Sequence, residues 1–278
     1  MDRRSFLKAF GVGLLSVFVG RSTLSEEVLG REFVGILVDT TRCIGCRSCE
    51  VACSEAHGLP LPDPEDRSVF ERKRKPTVEQ LTVVNRHMTS KGEVFVKVQC
   101  MHCCQPACVA ACLVKAMEKR PSGHVTWAKN CMGCRFCMYS CPFGVPKFEY
   151  EKAIPEIKKC DLCWDRFKEG KIPACVEACP QEALIFGPRR DLVHEGKARI
   201  YTRPGLYYPH LYGEDEVGGT SYLYLSPVPF EEIGMPTGLG STPYPEYAKI
   251  FIDSDDFVYI LWPAMMWALY ELSRREEV

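Results

Sequence analysis

The chain has 278 residues, enough for one large domain or two small ones, and carries a formal net charge of −1. That balance leaves no strongly basic field for nucleic acid, so none is expected among its partners. Cysteine is the outlier: there are 17, clustered rather than scattered, and the odd count argues against a framework built of disulfides alone.

The first element is a leader. Asp2-Arg3-Arg4-Ser5-Phe6-Leu7-Lys8 precedes an apolar run from Ala9 to Gly20. A twin arginine, a Phe-Leu-Lys flank and a modest apolar stretch resemble a twin-arginine export signal, with an ordinary secretory signal or a short anchor as the plainer readings. Residues 1–30 are therefore expected to be signal and linker, in a protein destined for the periplasmic face of the cytoplasmic membrane.

Phe33 to Val38 reads as a short strand. Leu59 to Pro76 is rich in proline and charge, contains Arg72-Lys73-Arg74-Lys75, and reads as a solvated loop. Val94 to Val98 alternates as a strand should. A turn at Pro121-Ser122-Gly123 leads into His124–Trp127, Phe148 to Lys158 leads into a further cysteine group, and Ala183 to Phe186 closes the cysteine region. The unit of short strand, cysteine loop and short strand thus recurs four times between about Phe33 and Gly187, an internal repeat. Residues 188–248 lack cysteine and are rich in Tyr, Pro and Gly, which predicts an extended, wrapping segment. Phe257 to Tyr270 (FVYILWPAMMWALY) is apolar, preceded by Asp253, Asp255 and Asp256 and followed by Arg274 and Arg275. Acidic before and basic after, it predicts a C-terminal helix that anchors the protein to the membrane, although it is short for the roughly 30 Å hydrocarbon core and contains Pro263.

The first cysteine group is Cys43, Cys46, Cys49 and Cys53; the third is Cys131, Cys134, Cys137 and Cys141, followed by Pro142. Both have the C-x2-C-x2-C-x3-C spacing of bacterial ferredoxins, in which three cysteines wrap one [4Fe–4S] cluster and the fourth reaches another. The second group, Cys100, Cys103, Cys108 and Cys112, and the fourth, Cys160, Cys163, Cys175 and Cys179, keep the leading CxxC and the trailing x3 spacing around an inserted loop. Alone, either of these suits zinc as well. Four groups together favour four [4Fe–4S] clusters, with a zinc-binding structural protein as a distant alternative.

Cross-ligation then predicts four ligand sets: Cys43, Cys46, Cys49 with Cys179; Cys160, Cys163, Cys175 with Cys53; Cys100, Cys103, Cys108 with Cys141; and Cys131, Cys134, Cys137 with Cys112. Cys104 is left over and is read as a free thiol. The pairing nests one ferredoxin-like unit (99–149) inside another (31–98 with 150–190), followed by the cysteine-free segment (191–248) and the C-terminal helix (249–278). The expected fold class is α+β: tandem, nested bacterial-ferredoxin-like units with long loops, plus a C-terminal extension. His102, beside the ligands, reads as a packing or tuning residue. His210 reads as an interface histidine and Trp164 as a cluster shield. No nucleophile–base pair, phosphate loop or open metal site points to catalysis by the chain itself.

Four groups in this order and spacing resemble the four-cluster iron–sulfur subunits of membrane-associated respiratory oxidoreductases, over about 33–187. The leader, the segment Tyr207-Tyr208-Pro209-His210-Leu211-Tyr212-Gly213 with Gly218-Gly219-Thr220 and Val228-Pro229-Phe230, and the C-terminal run further resemble the HybA-type subunit of hydrogenase-2-like uptake hydrogenases. Leu113 after Cys112 departs from the family, which often has proline there. The resemblance implies a non-catalytic role: carrying electrons between a [NiFe] hydrogenase small subunit and a quinone-reactive integral membrane subunit. The same kind of subunit also serves molybdopterin enzymes, such as formate dehydrogenases or sulfur-oxyanion reductases.

Overall fold

A computed structural model describes residues 32–276; the twin-arginine segment lies outside the described residues. In chain order the elements are β1 (Val34–Asp39), α1 (Ser48–His57), β2 (Val83–Thr89), β3 (Gly92–Val98), α2 (Ala107–Ala110), β4 (Met117–Lys119), β5 (Val125–Trp127) and α3 (Phe136–Tyr139). There follow β6 (Lys147–Phe148), β7 (Ile157–Lys158), α4 (Trp164–Lys168), α5 (Ala174–Glu177), β8 (Leu184–Pro188), α6 (Arg189–Thr202), β9 (Tyr222–Leu225) and α7 (Tyr244–Glu276).

β1 is the hub. Its Ile36, Leu37 and Val38 are buried on both faces, as an apolar run in a central strand requires. It pairs antiparallel with β8, Val34 opposite Pro188, and parallel with β9, Ile36 opposite Tyr222. The other sheets are hairpins: β2–β3, β4–β5 and β6–β7. Short helices pack between them, α1 against α5 and α2 against α3. The main core joins Ile36, Val38 and Val96 to Cys100, Cys160, Cys175, Tyr212, Tyr222, Tyr224 and Phe230.

Three expectations change. The cysteine-free segment is not extended throughout. Arg189–Thr202 is helical, has no proline, and lays Leu192 and Gly196 against the sheet. A side chain at 196 would press a Cβ to 2.8 Å from Leu211, so glycine permits the close approach. The segment also supplies the edge strand β9 and much of the core aromatics, because its tyrosines alternate into the sheet.

The basic run at 72–75 is not wholly solvated either. Arg74 reaches Glu50 at 2.5 Å, and Arg47 pairs with the same carboxylate at 2.9 Å. Glu50 has no exposed side-chain surface and also accepts from the Val84 amide at 2.5 Å. Two guanidinium groups and an amide compensate this buried charge and tie the loop to α1 and β2.

The third change concerns the C-terminal run. It lies in α7, a helix of 33 residues containing Pro263, with Tyr259, Trp262, Trp267 and Tyr270 exposed. No helix among the described residues is long and apolar enough to cross a membrane. The apolar stretch covers about 21 Å at 1.5 Å per residue, short of the roughly 30 Å hydrocarbon core, and forms only part of a helix that begins at Tyr244.

Asp39 fastens the cysteine-free segment to the hub. It is fully buried, accepts from the Tyr207 hydroxyl at 2.8 Å and pairs with Arg199 of α6 at 3.0 Å. Asp39→Ala would leave Arg199 and Tyr207 without their acceptor and is expected to destabilise the fold by about 3–5 kcal/mol. Tyr207→Phe removes one charge-assisted bond, for about 1.5–3 kcal/mol. Thermal unfolding of the purified protein should rank them in that order, wild type highest.

Candidate functional site

Each cysteine group begins with the same backbone device. The residue before the second cysteine is left-handed in all four: Gly45 (φ 69°), His102 (φ 50°), Gly133 (φ 76°) and Leu162 (φ 61°). This curls the loop so that successive thiols face one centre. In the first and third groups Arg47 (φ 64°) and Arg135 (φ 60°) repeat the turn, and α1 and α3 start directly after them. Gly45 is doubly constrained, since a Cβ there would lie 2.5 Å from the Phe95 ring. His102 and Leu162 hold the conformation at a penalty of about 1–2 kcal/mol each. Three residues beyond the last cysteine, Lys115 (φ 53°), Gly144 (φ 61°) and Glu182 (φ 48°) are left-handed again. The next amides then reach back to sulfur: Ala116 to Cys112 at 3.2 Å and Ala183 to Cys179 at 3.3 Å.

The thiols meet in fours. Cys43, Cys46, Cys49 and Cys179 line one cavity, with Lys97 in its wall. Cys53 has Cys160, Cys175 and Cys163 as its electrostatic thiol neighbours. Cys103 has Cys100, Cys108 and Cys141, and Cys137 has Cys131, Cys112 and Cys134. Each quartet thus draws its fourth member from a distant group. The quartets also follow one another in line: burial raises Cys49, Lys97 opposes it, and Cys175 of the second quartet adds to the rise. Cys160 couples to Cys100 of the third, and Cys108 to Cys137 of the fourth. At the two ends of this line Ile44 and Met132 are exposed, and so is Cys134.

The donor chemistry fits iron–sulfur clusters. None of the 17 cysteines is in a disulfide. Burial pushes the thiols of Cys43, Cys137 and Cys163 up to about 11, and those of Cys108 and Cys160 up to about 12. Thiolates crowded in an apolar core are tolerated only against positive charge, which bound iron supplies. Backbone amides already aim at sulfur, including Leu162 to Cys160 at 3.4 Å and Gly133 to Cys131 at 3.5 Å.

The neighbouring side chains are occupied structurally. His102 accepts from the Val125 amide through Nδ1 (2.9 Å), and its Nε2 lies 3.0 Å from the Cys160 carbonyl oxygen. Both nitrogens are spent, so it packs and is no ligand. Trp164 stacks with Phe167 and meets His124 beside Cys163. His210 bonds Glu216 at 2.6 Å and packs edge-on to Phe230. Cys104 belongs to no quartet; its amide donates to Gly219 at 2.9 Å. His57, Asp161 and Cys163 bring ligand atoms within 4.8 Å of one another. Asp161 is committed there, accepting from the Cys163 amide at 2.9 Å and lying 2.9 Å from His57.

Sequence reasoning passed over two buried lysines, Lys97 and Lys159, and the part-buried Lys119. Lys119 donates to the carbonyls of Cys103 (2.8 Å) and Gly123 (2.6 Å), and Lys159 to those of Val125 and Cys160. The signal was present for Lys97, a lone lysine inside the apolar strand Val94–Val98 just before a cysteine group.

Comparison with known proteins agrees with the site. The family described as a 4Fe-4S dicluster domain matches residues 92–189. A protein of Nitratidesulfovibrio vulgaris (strain Hildenborough) is 45% identical over 289 residues, covering 100% of this chain and 78% of its own. Hydrogenase-2 operon protein HybA of Escherichia coli O157:H7 is 35% identical over 276 residues, covering 85% of this chain and 84% of its own. The iron-sulfur subunit of the nitrate-inducible formate dehydrogenase of Escherichia coli (strain K12) is 32% identical over 200 residues, covering 69% and 67%. With cysteine loops built to carry iron–sulfur clusters and a likeness that runs over most of both chains, the chain belongs to the HybA-like family of ferredoxin-type iron–sulfur subunits, the electron-transfer components of respiratory oxidoreductases.

Proposed function

We propose that the chain holds four [4Fe–4S] clusters, one in each thiol quartet, and carries electrons between a periplasmic [NiFe] hydrogenase and a quinone-reactive membrane subunit. The observation that carries this reading is the 35% identity to a hydrogenase-2 operon protein over 84% of that protein, cysteine-free arm included. Bound clusters of this type exchange one electron at a time, at potentials set by nearby charge, hydrogen bonds to sulfur and exposure. The protein contributes insulation, amide donors and two accessible ends. The cross-group quartets support the nested pairing of ferredoxin-like units.

The Ile44 end is the side offered to the hydrogenase small subunit. The opposite end faces the membrane partner, because α7 begins beside α2: Gln105 donates to Glu246 at 3.3 Å, and the two helices pack together. The exposed aromatic and aliphatic side chains of α7 give that partner a contact surface. The twin arginine accounts for export of an already folded, cluster-loaded chain to the periplasmic face of the membrane. A second reading, service to a molybdopterin enzyme, draws on the likeness to a formate dehydrogenase subunit, which spans only 69% of this chain.

Two measurements test the proposal. The purified holoprotein should contain about sixteen iron atoms and as many acid-labile sulfides per chain. Zinc in their place would end the reading. Cys179→Ser should alter the same paramagnetic signal as Cys46→Ser and leave the signal altered by Cys103→Ser intact; the reverse would break the pairing. For the partner, affinity purification from solubilised membranes should bring down a nickel–iron subunit, whereas a molybdopterin subunit in its place would select the second reading.

A further inference from the structure

Lys97 is placed unlike Lys119 and Lys159. It lies on β3, is 2% exposed, and stands in the wall of the cavity that Cys43, Cys46, Cys49 and Cys179 line. Among the described residues no carboxylate lies within ion-pair distance of it. Among the described residues its one hydrogen-bond acceptor is the Gln99 side-chain oxygen at 2.9 Å. Gln99 in turn donates to the Tyr224 hydroxyl at 2.5 Å, and that hydroxyl donates to the Lys97 carbonyl at 2.8 Å. This closed ring of contacts fixes the lysine stem. The ammonium also sits 5.4 Å from the centre of the Tyr222 ring, whose hydroxyl is 3.7 Å from the Cys160 sulfur.

An ammonium has three donors, and one is spent on a neutral amide. A buried cation without a carboxylate needs another anion. The sulfurs around it belong to two quartets: Cys43, Cys46, Cys49 and Cys179 share its cavity, and Tyr222 stands between it and Cys160. The ammonium charge acts on Cys43 and Cys49 of the first and on Cys53, Cys160 and Cys163 of the second. In return, burial pulls the lysine toward neutrality, and Cys175, Cys49 and Cys160 outweigh it and hold the charge in place.

We propose that Lys97 is the fixed counter-charge shared by the first two quartets, and that it raises the reduction potentials of the clusters bound there relative to the other two. Reduction adds negative charge, so a cation held in a low-dielectric site favours the reduced form. Lys97 touches no substrate; it acts through the clusters. The inference rests on the cluster reading above and on its quartets.

The test is a spectroscopically monitored redox titration of holoprotein carrying Lys97→Met, Lys97→Gln or Lys97→Arg, each checked for iron and sulfide content. Loss of the charge should shift two of the four midpoint potentials downward. The shifted pair should be the signals that Cys46→Ser and Cys163→Ser alter. Lys97→Arg should stay close to wild type. Unchanged potentials, an equal shift of all four, or a shift confined to the other pair would overturn the inference. Failure of both neutral variants to load, with the Arg variant loading normally, would make the charge a requirement of assembly and would overturn it as well. Absence of sulfide from the wild-type protein would instead sink the cluster reading itself.

Discussion

Sixteen thiols converge in fours inside a small fold, and most other features answer to that crowding. A thiol is weakly polar, but a thiolate in an apolar core is an uncompensated charge. The chain meets this with backbone rather than bulk. Left-handed residues at the same place in all four loops turn successive cysteines toward one centre, and left-handed residues after the trailing cysteines swing amides back to sulfur. Loops given over to such geometry cannot also be long strands or helices. Regular structure in the cysteine region is therefore short, with the ten-residue α1 its longest helix. Much of the stability of such a region comes from what the ligands bind, because binding and folding are there the same event.

The remaining structure roofs this region. β1 carries the first cysteine loop at its end and takes β8 and β9 as partners, so the chain after the last cysteine returns to where the first one began. Tyr212, Tyr222, Tyr224 and Phe230 then pack into the same core as Cys100, Cys160 and Cys175. Aromatic side chains suit this position, since they exclude water over a large area and keep a hydroxyl for a specific contact. The Tyr224 hydroxyl closes the Lys97–Gln99 ring, and that of Tyr212 donates to the Pro236 carbonyl at 2.7 Å. Asp39 links strand, helix and arm into one body.

What was legible in the sequence follows the same division. Cysteine spacing is a local geometric code, so the four groups and the strands leading into them could be read directly. Strand β2 was not, because its partner β3 makes the pairing and Arg86 and His87 interrupt its apolar run. Helix α6 was missed because its stripe is thin: Leu192, Gly196 and little else turn inward, on a sequence dominated by charge. The roles of Arg74, Glu50 and Lys97 are tertiary facts. A charged residue in a loop or strand reads as solvated until the group that encloses it is known, and that group lies elsewhere in the chain. The apolar C-terminal run was legible as a helix, but not that the helix starts at Tyr244, because Asp253, Asp255 and Asp256 read as its boundary.

The buried cations show two ways of balancing the sulfur charge. Lys97 acts on thiols of the first two quartets, Lys159 on Cys108 and Lys119 on Cys103 of the third. The charges felt by Cys137, in the fourth, are those of other thiols. That quartet has something the others lack: Cys134 is exposed, beside exposed Met132 and Phe136. Water screens charge where a lysine would otherwise be needed. The lysines of the interior are themselves graded by their bonds. Burial lowers Lys119 to about 8 against the pull of its thiol neighbours, and it leans on backbone carbonyls, whereas Lys97 keeps its charge through sulfur. A donor set held by carbonyls is fixed whatever the quartets carry. A charge held in place by sulfur responds to them, and that makes Lys97, rather than its neighbours, the residue through which the fold can set the energy of the first two sites.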